Sequence, residues 1–186
     1  LLCDADTVGI FQMETDGYRR TLRDFQPSSF EHIVQLNALY RPGALDYREK
    51  IEAADGTITE GRNMVELFID RKLGKEAARF DDPRLKPILQ DTHGVLLYQE
   101  QTMRIARELA GFTMGQADSL RKAIGKKRPE EMAKLIPLWQ AGTSDMNPVV
   151  RDRLWENVEA SARYSWNRSH AVEYGIITCL CAIMKA

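Results

Sequence analysis

The chain has 186 residues, 44% of them hydrophobic and 28% charged, which is enough for one sizeable domain with a core of normal composition. Its formal net charge of -1 excludes the strongly basic surface of proteins that coat nucleic acid without specificity, so any anion site must be local. Its three cysteines, an odd number, imply no disulfide framework, so we expect a cytoplasmic protein. Its apolar runs are shorter than the about 20 residues that a helix needs to span a bilayer.

Helical patterns dominate the first half of the chain. They predict a helix over 30–40 behind Ser28 and Ser29, a helix over 64–73 behind Asn63, a short helix over 84–90, and a β-like run over 94–98 that is too short to define a strand. Residues 46–62 are polar and contain Gly56, which predicts an inserted loop or hairpin.

The second half shows clearer helix signals. Helices are predicted over 100–110, from Thr113 to Gly125 with a Thr113–Gln116 capping box, from Pro129, from Asn147–Pro148 to about 164, and from near Ser169 to the end. The apolar run 176–184 predicts a core helix. The chain also begins without Met and stops inside a helical pattern, so we expect a piece of a larger protein. The predicted fold class is mainly α, an irregular multi-helix domain with at most a short β hairpin or strand.

The most concentrated charge lies in residues 120–128. Five of these nine residues are basic and none is acidic: Arg121, Lys122, Lys126, Lys127 and Arg128. The predicted buried stripe of this helix is Ala117, Leu120 and Ile124. Arg121 and Lys122 therefore point away from the core, and such a cluster attracts the phosphates of nucleic acid or of a nucleotide. The interpretation requires that these cations share one direction and are not neutralised by neighbouring carboxylates.

A second polar group stands where the last helix begins. It consists of Asn167, Arg168, Ser169 and His170. Ser169 can cap the helix, and the free backbone N–H groups at a helix start can hold an anion or a sugar hydroxyl. Asp4 and Asp6, by contrast, have no third acid in a strand pattern, so they do not predict a metal site.

Six ordered blocks make the chain resemble the fingers region of the C-family replicative DNA polymerase of bacteria. The blocks are TVGIFQME (7–14), ALYRPG (38–43), GVLLYQEQ (94–101), LAGFTMGQAD (109–118), LRKAIGKK (120–127) and NRSHA (167–171), which Tyr174 follows. Because they keep family-like spacing over nearly the whole chain, they are specific together, although none is specific alone. The resemblance implies that residues 1–186 are a fingers-domain fragment of a DNA-directed DNA polymerase, with 46–62 as an insertion.

The resemblance also implies roles for individual residues. Arg121 and Lys122 are expected to contact the triphosphate of the incoming deoxynucleotide, and Lys126 and Lys127 the phosphates of nucleotide or template. Asn167, Arg168, Ser169 and His170 resemble the element on the sugar side, where His170 excludes ribonucleotides and Tyr174 supports it. Arg41, Lys127 and Arg128 are expected to touch the DNA backbone.

The family's two Mg²⁺ ions are held by three aspartates that lie upstream of this region. The resemblance therefore implies Mg²⁺ in the full enzyme, no metal ligands or catalytic residues in this fragment, and no activity of the fragment alone. The implied partners are the incoming deoxynucleoside triphosphate, primer–template DNA, other domains of the polymerase chain and replication holoenzyme subunits, with no membrane. Lys122 departs from the arginine expected there, which keeps the charge but loses bidentate phosphate geometry.

Two alternatives remain open on the sequence. Residues 103–120 have the cadence of a helix-turn-helix DNA-binding module, in which Gln116, Ser119 and Lys122 would be the base-reading residues. The other alternative is a purely structural helical domain whose basic segment is only solvated.

Overall fold

Ten α-helices and one two-stranded hairpin form the part of the chain that the computed structural model describes, which is residues 1–52, 55–126, 128–161 and 164–186. The helices are α1 (Asp16–Phe25), α2 (Phe30–Leu39), α3 (Pro42–Asp46), α4 (Met64–Lys72), α5 (Lys86–Leu89), α6 (Gln99–Glu108), α7 (Met114–Gly125), α8 (Pro129–Gly142), α9 (Pro148–Ser161) and α10 (Arg168–Lys185). The strands are β1 (Lys50–Glu52) and β2 (Ile58–Glu60). The predicted fold class, mainly α with at most a short hairpin, is confirmed.

The helices begin where local side chains satisfy the free N–H groups of the first turn. Asn63 and Glu66 form a reciprocal capping box at α4, and Thr113 and Gln116 form the predicted one at α7, with N···O distances of 3.2 and 2.8 Å. A cap of this kind stabilises a helix by about 1 kcal/mol. These starts could be predicted because every atom of the cap lies within three residues.

Two helices were not predicted. The α1 helix buries Tyr18, Leu22 and Phe25 on one face, and Thr15 caps it by accepting from the Tyr18 N–H. The short α3 helix begins at Pro42, in a segment for which the sequence predicted no helix. Proline is well suited to the first turn of a helix, because that turn needs no N–H from it.

The predicted insertion at 46–62 contains the hairpin. Its antiparallel register pairs Lys50 with Glu60 and Ile51 with Thr59, while Ala53 and Ala54 lie outside the described residues. The guanidinium of Arg62 closes the base of the hairpin through Glu49 at 2.9 Å and Asp70 at 2.7 Å. Polar contacts to α4 therefore fix the insertion where its own short strands would not.

The β-like run at 94–98 does not form a strand with a partner in the described sheet. Residues 95–98 are buried, and the side chains of Gln101 and Thr92 bond their backbone, Thr92 Oγ1 by donating to Val95 O at 2.7 Å. The Oε1 atom of Gln101 accepts from the N–H groups of Leu97 and Tyr98, both at 2.9 Å, and its Nε2 donates to Thr92 Oγ1 at 2.7 Å. Local packing thus explains why these residue types stand in the sequence block 94–101.

The chain divides into two units by its internal contacts. The first unit comprises residues 1–73 and 166–186, and the second comprises residues 74–165. In the first unit α2 packs against α10, and Gly175 permits the approach, because a Cβ there would lie 3.0 Å from Val34 Cγ2. In the second unit α6, α7 and α8 enclose a core around Leu120 and Trp139.

The end of α10 differs from the predicted core helix. Its first turns bury Ala171, Gly175 and Thr178, but its last turns leave Ile183 71% and Met184 80% exposed. The apolar run is therefore buried only where α10 faces its own unit. Among the described residues, no helix combines the length and the apolarity that a bilayer crossing needs.

Candidate functional site

The α7 helix presents its basic residues as the sequence predicted. Its buried stripe holds Ala117 and Leu120, both fully buried, and Ile124, at 6% exposure. The side chains of Arg121 and Lys122 are 34% and 55% exposed on the other side. The amphipathic pattern therefore fixes where these two cations emerge.

A carboxylate lies between the two cations. The Nε and Nη2 atoms of Arg121 donate to Asp118 Oδ1 at 3.0 and 2.8 Å, and Lys122 Nζ lies 2.7 Å from Asp118 Oδ2. These contacts, from Lys122 first and then from Arg121, lower the pKa of Asp118, so its carboxylate stays ionised. The expectation that the cations lack neighbouring carboxylates is wrong for this pair.

Two further basic residues of the segment, Lys126 and Arg128, are described by the structure. Arg128 Nη1 lies 2.7 Å from Glu131 Oε1, at the start of α8. Lys126 is exposed at the C-cap of α7, where a cation also offsets the negative end of the helix dipole. Lys127 lies outside the described residues. The charge argument alone therefore no longer separates a phosphate site from a solvated helix end.

The contacts of Asp118 with Arg121 and Lys122 are weak ones. Exposed ion pairs such as these contribute roughly 0–1 kcal/mol in water. They hold the two cations close together, and they are weak enough for a more highly charged anion to compete with Asp118.

Arg121 also lines a shallow cleft in the second unit. Its other lining side chains are Gln99 and Ile124 and the hydroxyl-bearing Thr102, Ser161 and Ser165, with Gly125 at the edge. The hydroxyl groups can donate or accept hydrogen bonds. The cleft therefore offers polar groups next to the cation, and no pattern in the sequence predicts them at this position.

The residues of the helix-turn-helix alternative are engaged within α7. Gln116 completes the capping box, Ser119 Oγ donates to Gly115 O at 2.8 Å, and Lys122 pairs with Asp118. A base-reading role would require all three to leave these partners. The arrangement does not favour the alternative.

In the first unit, Asn167 rather than Ser169 caps the last helix. Asn167 Oδ1 accepts from the His170 N–H at 3.0 Å and from Ser169 Oγ at 2.6 Å. Arg168 Nη2 lies 3.3 Å from Glu31 Oε1 on α2. The prediction of Ser169 as the cap is wrong because Asn167 is the residue in extended backbone just before the helix.

His170 belongs to a group of aromatic rings. Its ring stacks on Trp166 with a 5.3 Å centroid distance and a 7° interplanar angle, and it lies 4.4 Å from the ring of Tyr174. Tyr174 in turn packs against Phe11 at 5.3 Å. Trp166 and Phe11 were not predicted as site residues. The spacing of four between His170 and Tyr174 is a helical signal for their contact, whereas Trp166 lies before α10 and the sequence carries no such signal for it.

Arg41 also reaches this group. Its guanidinium carbon lies 3.7 Å from the centroid of the Trp166 ring, and its Nε donates to Ala38 O at 2.8 Å. Burial lowers the pKa of the Arg41 guanidinium to about 10. The structure thus brings Arg41 together with the residues at 166–174, whereas the sequence had assigned it only to the DNA backbone.

Asp4 and Asp6 do not form a metal site. Asp6 pairs with Lys185. Within the described ranges, no group of three or more His, Cys, Asp or Glu side chains is arranged to hold a metal ion. These residues do not fit the Mg²⁺ pair that the resemblance implies for the full enzyme.

Comparison with known proteins gives a consistent result. The profile of the bacterial DNA polymerase III alpha subunit finger domain matches residues 1–147. The DNA polymerase III subunits alpha of Aquifex aeolicus, Chlamydia muridarum and Escherichia coli are 41%, 38% and 37% identical to the chain, and each alignment covers all 186 residues of the chain. The chain spans only 15%, 14% and 15% of these relatives, respectively.

Proposed function

The chain belongs to the bacterial DNA polymerase III alpha subunit finger-domain family, and from this membership we propose that it binds the incoming deoxynucleotide and primer–template within a DNA-directed DNA polymerase. One observation carries the proposal: relatives named as DNA polymerase III subunit alpha align with the complete chain at 37–41% identity. The chain spans a small part of those relatives, so we place the polymerase activity in a longer chain. We expect that longer chain in the cytoplasm.

Arg121 and Lys122 supply the triphosphate contact in this proposal. During the reaction the primer 3′ oxygen bonds to the α-phosphorus while the bond to the pyrophosphate oxygen breaks, and charge grows on the leaving group. Fixed cations stabilise that charge. Asp118 orients both side chains before the nucleotide arrives. Lys126 and Lys127 contribute further phosphate contacts, and Lys127 and Arg128 face the DNA backbone.

The residues from Asn167 to Tyr174 form the sugar side. Asn167 and Ser169 set the start of α10, and Arg168 is tied to Glu31. His170 is half-buried between the rings of Trp166 and Tyr174, which leaves its imidazole a defined position. A ring fixed in this way can exclude a 2′ hydroxyl by its bulk.

The proposal is tested by photo-crosslinking in the full-length polymerase. A photoreactive deoxynucleoside triphosphate is bound to the enzyme with a dideoxy-terminated primer–template, irradiated, and the labelled peptide is mapped by mass spectrometry. We expect labelling within α7 or at 167–174, and only when the nucleotide matches the template. Salt-dependent binding to covalently closed circular duplex, which has no free 3′ end, would instead support a DNA-binding module, and labelling elsewhere in the chain would contradict the proposal.

We predict that His170→Ala in the full-length polymerase raises incorporation of ribonucleotides relative to deoxynucleotides by about 10-fold or more. The reason is that loss of one well-packed contact changes discrimination by roughly 10- to 200-fold. The measurement is the ratio of kcat/KM for the two sugars at a single template base. His170→Phe keeps the bulk and serves as the control, so it retains selectivity. Unchanged sugar selectivity in His170→Ala would remove the steric role.

A further inference from the structure

We propose that Arg41 is a positioning residue for His170, acting through the indole ring of Trp166. Only the expected effect on sugar selectivity rests on the proposed function. The contact between Arg41 and Trp166 lies within the first unit and needs no nucleotide. It gives Arg41 a task different from contact with the DNA backbone.

The first step is that Arg41 is itself fixed. It is the residue before α3, where its carbonyl accepts from the N–H groups of Ala44 and Leu45 and its N–H donates to Leu39 O at 2.8 Å. Its Nε donates to Ala38 O. Backbone and side chain are therefore both tied to the α2–α3 turn, and the guanidinium is held in one place.

The second step is that this guanidinium covers the face of Trp166. The separation of 3.7 Å between Arg41 Cζ and the ring centroid is well within the about 6 Å range of cation–π attraction. Burial removes water from the guanidinium, as its lowered pKa also shows, and less water strengthens the attraction. Trp166 just precedes α10, so Arg41 fixes an aromatic ring that helix geometry does not fix.

The third step leads from Trp166 to His170. Their rings are nearly parallel at 7°, and Tyr174 lies against the same imidazole with a 60° tilt. Asn167 holds the His170 backbone N–H, but it does not set the direction of the imidazole ring. The neighbours of the ring are Trp166, Tyr174 and the Glu173 carboxylate, whose Oε2 lies 3.5 Å from His170 Nδ1. Of these, Trp166 is the one that stacks flat on the imidazole, and it is the partner that Arg41 holds.

Chemical reactivity of His170 tests the inference in the full-length polymerase. Diethyl pyrocarbonate modifies accessible neutral imidazoles, and peptide mapping gives the rate at each histidine. We expect Arg41→Ala and Trp166→Ala to raise the rate at His170 by roughly 2- to 30-fold, the change in population that matches loss of one cation–π contact. Trp166→Phe retains an aromatic face and should stay near the wild-type rate. Arg41→Lys should give an intermediate rate, because an ammonium group keeps the charge but not the planar stack.

His32 is the internal control, because it lies in the same unit with its Nδ1 bound to the Ser28 N–H. General loss of structure would raise the rates at His32 and His170 together and would contradict the inference. An unchanged His170 rate in Arg41→Ala, with weaker primer–template binding instead, would also overturn it in favour of a backbone contact. The modification rates are measured without nucleotide, so they decide the inference independently of sugar selectivity. Unchanged sugar selectivity in His170→Ala would count only against the proposed sugar role.

Discussion

Replacing both Arg121 and Lys122 with glutamate is expected to lower kcat/KM of the full-length polymerase for a matched deoxynucleotide by about 100- to 10,000-fold. Each charge-assisted contact to a phosphate contributes about 1.5–3 kcal/mol, and two such contacts together account for this range. Reversal also places three carboxylates side by side, because Asp118 already lies between the two positions. The measurement is single-nucleotide primer extension over a range of nucleotide concentrations.

A matched control reverses one arginine and one lysine elsewhere in the same unit. Lys86 on α5 and Arg107 on α6 are both exposed helical residues outside the candidate site. Their double replacement by glutamate changes the net charge equally and should leave kcat/KM within a few-fold of wild type. If both double variants lose activity to the same extent, the effect reflects overall charge. If neither loses activity, α7 ends in a merely solvated basic segment.

Gly142→Ala is expected to cause the largest loss of stability in the second unit. An added Cβ would lie 1.9 Å from Ala110 O and 2.5 Å from Ala110 C, both backbone atoms that cannot move without shifting the end of α6. Overpacking of this kind costs about 1–3 kcal/mol and sometimes more. Hydrogen exchange of peptides that cover Ala110 and Gly142 in the full-length protein should show faster local opening.

Gly115→Ala is the matched control for that substitution. Nothing lies within 4 Å of a Cβ at Gly115, and the residue is in the first turn of α7. Alanine is the better helix former, so exchange there should be unchanged or slower, with a gain of up to about 1 kcal/mol. Equal exchange rates in Gly142→Ala and wild type would show that the two backbones can separate at little cost.

Features that depend on a few neighbouring residues could be predicted from the sequence. The capping boxes at Asn63 and Thr113 and the buried stripe of α7 follow from spacing alone. The pairing of Asp118 with Arg121 and Lys122 was also within reach, because positions three and four apart share a helix face. The same spacing puts Asp118 on the exposed face with both cations, but a cluster defined from residue 120 onward leaves its carboxylate out.

Features that depend on distant residues could not be predicted. Arg41 meets Trp166 only because α2 and α10 pack together, and Arg168 reaches Glu31 across 137 residues of sequence. The exposed end of α10 likewise has a composition that fits a core helix. Spacing within one helix cannot say which of its turns a partner covers. The family resemblance singled out the residues from Asn167 to Tyr174, while their mutual contacts required the fold.

The first unit is completed by two stretches of sequence, 1–73 and 166–186, with the second unit inserted between them. On the ribosome, α2 therefore emerges long before α10, the helix that packs over it. At about 5–20 residues per second, the intervening unit takes several seconds or more to translate. During that time the apolar face of α2 around Val34 lacks its native cover, whereas residues 74–165 can already fold. The apolar face of α2 consequently stays open to wrong contacts until α10 has been translated.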